Sequence, residues 1–286
     1  MKVLVTAPFG NQGRQLLPKL AAAGIDVRAV EVNPAFEKNL YDLGAKEVFI
    51  GDFRRDEIME KCLDGVDKLY LVLPNGLDNV IGSVQRMIRV AEENNIEHFV
   101  FSSCLNVVRE LEQHWEKYMM ESDLMGSNLN YTILKPAGYI DVHFPDLDGG
   151  IFDAGNYSPM IAESAVSSFI TCNNITDVAV KVLLEGEPHY FASYDLCAPG
   201  YYKEADSTAL LKKVLAEAGK ELKIVPPPEM NMDMLPSHLR DILGRIMVYH
   251  THHPYRGNPF VYTALMGKPA TTLEEYFREC VEKRKS

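Results

Sequence analysis

The chain has 286 residues, 47% of them hydrophobic and 24% charged, with a formal net charge of −11 at pH 7. That length suits one large α/β domain, or a nucleotide domain carrying a smaller cap, and the acidic balance speaks against a nucleic-acid partner because it repels phosphate backbones. No apolar run approaches the roughly 18 residues of a membrane span, and Met1 and Lys2 lead straight into the strand-like "VLVTA", so neither a membrane nor a secretory leader is expected.

The first half alternates short β-rich runs with helical patterns. "KVLVTA" reads as a buried strand, and "QGRQLLPKLAAAG" follows with apolar residues at helical spacing and Gly24 as its stop. "DVRAVEV" is a second strand and "AFEKNLYDLGA" a second helix. "KEVFIGD", "DKLYLVLP", "EHFVFSS" and "NYTILKP" supply four more strands. Between them lie helices over "DEIMEKCLDG", "NVIGSVQRMIRVAEENN" and "ELEQHWEKYMMESDLMG". Strand, helix, strand at this spacing requires parallel pairing with right-handed crossovers. The fold class is therefore α/β, a doubly wound parallel sheet with ligands at the carboxyl ends of its strands.

After Asp141 the pattern loosens. "FPDLDGGIFDAGNYSPM" is rich in turn formers and reads as a long loop over the site mouth. "ITDVAVKVLLEG" is a helix with Thr176 or Asp177 near its start, and "ADSTALLKKVLAEAG" another, ended by Gly219. "PPPEM" is a stiff extended connector. "TTLEEYFRECVEKRK" is a final helix capped by Thr271 or Thr272, with its acids early and its bases late. The division expected is a nucleotide-binding domain over 1–150, its sixth strand near 131–140, and a smaller cap over 151–286 with some segments returning to the first.

"VTAPFGNQG" places Gly10 and Gly13 between the first strand and the first helix. There the backbone can approach a pyrophosphate closely, with helix-terminal N–H groups facing it. Ala7 stands where glycine makes the tight turn of a dinucleotide loop, so the turn is expected to be relaxed. The plainer reading is a βα turn that needs small residues. Glu31 ends the second strand, 18 residues after Gly13. A carboxylate there can accept the ribose hydroxyls and repel a 2′-phosphate, and no arginine or lysine follows it directly, which favours NAD(H) over NADP(H). A solvated acid at a strand end is the alternative.

These residues resemble the "VTGATGxxG" opening of the NmrA-like family of atypical short-chain dehydrogenases/reductases. "GDF" at Gly51 to Phe53, "YLVLP" ending at Pro74, "VFSS" ending at Ser103, "NYTILKPAGYIDV" around Pro136 and "MGKPATTLEEYF" near the end agree with it. The resemblance implies an NAD(P)-binding Rossmann domain with a smaller C-terminal α/β substrate domain. It implies that Gly10, Asn11, Gln12 and Gly13 hold the pyrophosphate, with Glu31 and Asn33 near the adenosine ribose. Asp52 and Phe53 would lie near the adenine, Leu73 and Pro74 beside the ribose, and Pro136, Ala137 and Gly138 along the nicotinamide. Thr6, Phe9 and Ser102 complete the cofactor-lining set. Ala7 departs from the pattern, as does Val32, where NADP-preferring relatives often carry arginine.

Short-chain dehydrogenases generally use a tyrosine four residues before a lysine, with a serine or threonine after the fifth strand. Lys117 in "HWEKYMMES" matches the lysine, but Gln113 stands at the tyrosine position and Cys104 at or beside the serine. The usual proton donor is absent. His114, on the same helical face as Lys117, and Tyr139, after "KPAG", are the candidate substitutes. His114 and Trp115 read equally well as packing the helix against the cap. Cys104 reads as a small core residue at a strand end or as a reactive thiol near a helix N-terminus.

His250, His252 and His253 in "HTHHPYRGNP" suggest metal, but no cysteine or carboxylate sits nearby. A cap loop is expected, and no metal. Met230, Met232 and Met234 read as adaptable pocket lining. The five scattered cysteines, without C-x-x-C, point to reduced thiols in a cytoplasmic protein. No nucleophile elbow of a hydrolase is present. Two functions follow. One is an NAD(P)H-dependent reductase of a small apolar carbonyl, enone, quinone or imine. The other is a non-catalytic NAD(P) sensor that regulates a protein partner.

Overall fold

The computed structural model describes residues 1–74, 76–146, 150–159, 161–226 and 237–285. The elements run β1 Lys2–Thr6, α1 Gly13–Ala22, β2 Asp26–Glu31, α2 Glu37–Asp42, β3 Ala45–Ile50, α3 Asp56–Leu63, β4 Lys68–Val72, α4 Val80–Glu93, β5 His98–Ser102, α5 Glu112–Met125 and β6 Tyr131–Pro136. Then come β7 Gly138–Tyr139, α6 Ile140–His143, β8 Asn156–Tyr157, β9 Val166–Ser167, β10 Phe169–Ile170, α7 Cys172–Glu185 and β11 Ala192–Leu196. The chain ends with β12 Tyr202–Lys203, α8 Glu204–Glu217, β13 Lys223–Ile224, α9 Ser237–His252, α10 Phe260–Met266 and α11 Leu273–Glu282.

The described chain divides into two compact units, Met1–Lys135 with Cys172–Tyr194, and Pro136–Thr171 with Asp195–Ser286. The main sheet has the order β3–β2–β1–β4–β5–β6, with β11 beyond β6. The first six strands pair in parallel. Strand order reverses between β1 and β4, which opens a crevice at their carboxyl ends. Leu4, Leu69, Leu71, Phe99, Phe101 and Ile133 of the strands pack against Met59, Val84, Met87, Ile88, Met120 and Leu124 of α3, α4 and α5. Helix α7 returns to this unit beside α1, where Lys19 Nζ donates to Asp177 at 2.6 Å and to Thr176 Oγ1 at 2.7 Å.

In the second unit, Phe144, Phe152, Tyr157 and Phe169 build a core with Leu211 and Leu215 of α8 and Tyr276 and Phe277 of α11. Three two-stranded pairs, β7–β10, β9–β12 and β8–β13, stitch its loops. Thr272 caps α11 through a reciprocal box with Glu275, as its sequence anticipates.

Some expectations change. The helix read from Ile175 begins at Cys172. The seventh strand, β11, is not expected, because Ser193, Tyr194 and Asp195 interrupt its apolar run as suits an edge position. The turn-rich stretch from Phe144 carries the short strand β8. Leu147 to Gly149, Met160, Pro227 and Pro228 of the expected connector, and Met230, Met232 and Met234 lie outside the described residues. His250 and His252 sit on the last turn of α9, not on a loop. Helix α9 carries the chain to His252 before Pro254 stops it. Among the described residues no group of three or more His, Cys, Asp or Glu could hold a metal ion, and no helix is long and apolar enough to cross a membrane.

His98, fully buried at the start of β5, gives the first unit a pH dependence. Its Nε2 lies 2.8 Å from Thr132 Oγ1, whose own hydrogen goes to the His189 carbonyl. His98 Nε2 therefore carries the proton, and the buried Nδ1 has no hydrogen-bond partner among the described residues. Burial, with the Lys68 charge and His189 nearby, pushes its pKa down to about 3 from 6.5. The unfolded chain thus binds more protons below pH 6.5, and stability falls as pH falls through the window between the two values. Urea unfolding at pH 7, 6 and 5 should show this group's loss of up to about 1.4 kcal/mol per pH unit, and His98→Asn should flatten that slope. An unchanged slope in the variant would count against His98 as its source.

Candidate functional site

The crevice is built from β1 upward. Thr6, buried at the strand's end, donates through Oγ1 to the Val72 carbonyl at 2.7 Å and accepts from the Val72 N–H at 2.8 Å, which ties the ends of β1 and β4 together. Ala7 then turns the chain with φ of +44°. The turn is not relaxed, contrary to expectation: the alanine is held in the left-handed region that glycine occupies freely. Gly10 N–H closes the turn onto the Ala7 carbonyl at 3.0 Å. A Cβ on Gly13 would lie 2.3 Å from the Pro8 carbonyl oxygen, so only glycine lets the loop fold this tightly onto α1.

Gln12 is buried, and its amide is spent inside the protein. Tyr70 Oη donates to Gln12 Oε1 at 2.6 Å, and Gln12 Nε2 donates to Ser102 Oγ at 3.0 Å. Of the four residues expected at the pyrophosphate, Gln12 therefore offers backbone alone. Sequence reasoning misses Tyr70; its signal is a lone hydroxyl in the apolar run "KLYLV", which must find a partner when buried. The N–H groups of Asn11 and Gly13 donate to no acceptor among the described residues. Unspent donors at the start of α1, under a loop a Cβ would fill, fit a dinucleotide pyrophosphate.

On the β2 side, Glu31 Oε1 accepts from the N–H groups of Val32 at 2.9 Å and Asn33 at 3.1 Å. Asn33 caps the following turn through Ala35 N–H. Phe9 stacks on Phe36 with centroids 4.2 Å apart, and the Arg14 guanidinium lies 5.7 Å from the Phe9 centroid. Asp52 is held by Arg54, whose Nε and Nη2 reach both carboxylate oxygens at 2.7–3.0 Å and keep the carboxyl below its usual range. Phe53 is 7% exposed and packs into the core with Leu4 and Met59. Leu73 is buried and Pro74 exposed just after β4.

At the β5 end, Ser102 and Ser103 are buried and Cys104 is partly exposed. Cys104 Sγ lies 3.5 Å from His114 Nδ1, which lies 3.1 Å from the Asn106 carbonyl. Helix α5 starts only at Glu112, so Cys104 is not at a helix N-terminus. Lys117 is 9% exposed, with Nζ 5.5 Å from the Phe101 centroid, and burial lowers its pKa. One turn on, buried Glu121 accepts from Ser103 Oγ and pairs with Lys135 Nζ at 2.8 Å. Gln113 is buried, whereas Trp115 is 56% exposed and stacks on Tyr118, so Trp115 does not pack the helix inward. The first unit thus gathers Gln12, Ser102, Cys104, His114 and Lys117 around the carboxyl ends of its strands. Pro136, Gly138 and Tyr139 belong to the second unit, with β7 paired to β10 and Ala137 N–H donating to the Leu196 carbonyl at 2.9 Å.

Residues 9–184 match the NAD(P)H-binding family. Over 148 residues the chain is 30% identical to the photosystem II assembly factor Ycf39 of Trieres chinensis, covering 49% of this chain and 46% of that protein. The chain thus spans about half the length of that curated relative. It is 23% identical over 282 residues to the NAD(P)H azoreductase of Xenophilus azovorans, covering 96% of each. Among solved structures it is similar to the triphenylmethane reductase of Citrobacter sp., with a TM-score of 0.78 and 21% identity over 99% of this chain and 100% of that one. It is also similar to NmrA, a negative transcriptional regulator solved with NAD, with a TM-score of 0.76 and 15% identity over 99% and 96%. Likeness at these identities establishes the doubly wound Rossmann fold.

The strained turn gives a direct test. Ala7→Gly relieves the left-handed alanine but adds backbone freedom to the unfolded chain, for a net gain of about 0.5–1 kcal/mol. Thermal unfolding should show a higher Tm; a lower one would mean the Ala7 methyl contributes packing that outweighs the strain.

Proposed function

This chain belongs to the NAD(P)H-binding family, and from that premise we propose that it is an NAD(P)H-dependent reductase of a small apolar carbonyl, enone, quinone or imine. The observation that carries the reading is Lys117. It is buried at the ligand end of the sheet, sits over the Phe101 ring, and has no hydrogen-bond partner among the described residues. An ammonium left without a partner at that depth is costly, and such groups concentrate at functional sites. Similarity to an NAD(P)H azoreductase along nearly the whole chain supports it.

Backbone donors at Asn11 and Gly13 would hold the pyrophosphate, and Lys117 the ribose on the nicotinamide side. When bound, the dinucleotide supplies hydride; the protein supplies position, a dry site and a proton. Glu31, with Val32 rather than a cation after it, favours NAD(H). All five cysteines are thiols rather than disulfides, which suits the reducing cytoplasm where we place the protein. One observation favours a second reading, a dinucleotide sensor acting on a protein partner. Gln113, buried four residues before Lys117, cannot pass a proton.

Calorimetric titration with NAD⁺, NADH, NADP⁺ and NADPH, followed by a panel of quinones, enones and imines, separates the readings. Binding of a reduced form with turnover of a panel member is expected; binding without any turnover supports the sensor. Glu31→Ala with Val32→Arg should move the Kd ratio towards NADP(H) by about tenfold or more, roughly 1.4 kcal/mol. An unmoved ratio removes Glu31 from the ribose site.

A further inference from the structure

A reductase needs a proton at the atom left negative by hydride, and this chain has no tyrosine at the usual position. Cys104 follows β5 at the ligand end of the sheet. Cys62, Cys172, Cys197 and Cys280 are buried; Cys104 alone is partly exposed. Its sulfur lies 3.5 Å from His114 Nδ1, which is also 3.1 Å from the Asn106 carbonyl. A carbonyl can only accept, so Nδ1 carries the hydrogen and shares it between the nearer Asn106 oxygen and the sulfur. The charged groups that act on the thiol are Lys117 and Glu121 of α5, Lys135 of β6 and Arg109 of the intervening loop. Glu121 is already paired with Lys135 and takes the Ser103 hydroxyl, whereas Lys117 has no such partner. Burial pushes the thiol pKa up to about 11, with Lys117 acting to lower it. At neutral pH the group is a protonated thiol rather than a nucleophilic thiolate.

We propose that the Cys104 thiol is the proton donor of the reduction, with His114 as its positioning residue. This rests on the reductase reading. The reduced dinucleotide, when bound, would supply the hydride that reaches the substrate carbon and would leave oxidised. The Sγ–H bond breaks, an O–H bond (or N–H, for an imine) forms on the substrate, and the electron pair stays on sulfur. His114 Nδ1–H and the Lys117 ammonium hold the thiolate until water returns a proton to it.

Alkylation of the native protein by iodoacetamide, read by peptide mass, tests the placement without relying on turnover. Cys104 should be alkylated first of the five thiols, because the other four are buried, with a rate still climbing at pH 9. Saturating reduced dinucleotide should slow it at least tenfold. His114→Ala should slow thiolate formation at a given pH, and His114→Asn, which keeps a donor, should restore it. Cys104→Ala should lower kcat for quinone reduction about 100-fold, the usual scale of a lost general acid, with dinucleotide Kd unchanged.

Dinucleotide that binds without slowing alkylation overturns the proposal and leaves the reductase reading standing. So does full kcat in Cys104→Ala, all the more if Tyr139→Phe loses it. Protection with no turnover of any panel substrate by the unmodified chain sinks the reductase reading, and the donor role with it.

Discussion

The site depends on how closely the loop after β1 lies against the start of α1. A Cβ at Gly13 would sit 2.3 Å from the Pro8 carbonyl oxygen. That approach forces Ala7 into the left-handed region, and the Gly10–Ala7 hydrogen bond locks it there. A strained turn persists only when its surroundings over-determine it. Here they do: Thr6 ties β1 to β4, and Gln12 reaches inward to Tyr70 of β4 and Ser102 of β5. The loop is thus pinned to both strands on the far side of the reversal in strand order. Its unspent N–H groups open where the sheet itself makes a crevice.

The same strand order brings the second feature into place. β4 and β5 lie side by side, so the residue that receives Gln12 on β5 is followed, two positions on, by Cys104. Helix α5 packs over this edge and inserts His114, Lys117 and Glu121 from successive turns. Buried charges normally survive by pairing. Glu121 does so with Lys135 and Ser103; Lys117 has only an aromatic face. The contrast between two charges one turn apart separates a buried ion pair from an ammonium that has no such partner among the described residues.

Much of this was legible in the residues. Alternation of β-rich runs with 3.6-period helices sufficed for the parallel sheet, and Gly24 and Thr272 mark helix ends where the structure has them. What escaped is physical in kind. β11 is an edge strand with a polar middle, and one-sided burial weakens the apolar pattern. The histidines near residue 250 fall on a helix end because Pro254 stops α9 only after His252. Side-chain direction was the larger loss. Spacing puts Gln12 at the loop, but whether its amide faces ligand or core depends on Tyr70, 58 residues away in sequence. Asp52 and Phe53 are alike in this. Position places them at the β3 end, while Arg54 and the core decide where they point.

Gln113 at the tyrosine position speaks for a sensor only if the phenol was the one acid within reach of Lys117. A phenol serves there because its ordinary pKa near 10 keeps it protonated at neutral pH, yet a neighbouring ammonium can stabilise its anion. The Cys104 thiol meets both conditions in the proposed reaction, held protonated by desolvation and drawn towards ionisation by Lys117. Lys117 alone does not separate the two readings, since an ammonium that holds a dinucleotide ribose would serve a sensor as well as a reductase. What the proposed reductase adds is a protonated thiol near that ammonium, with the His114 Nδ1–H shared between the Asn106 carbonyl and the sulfur.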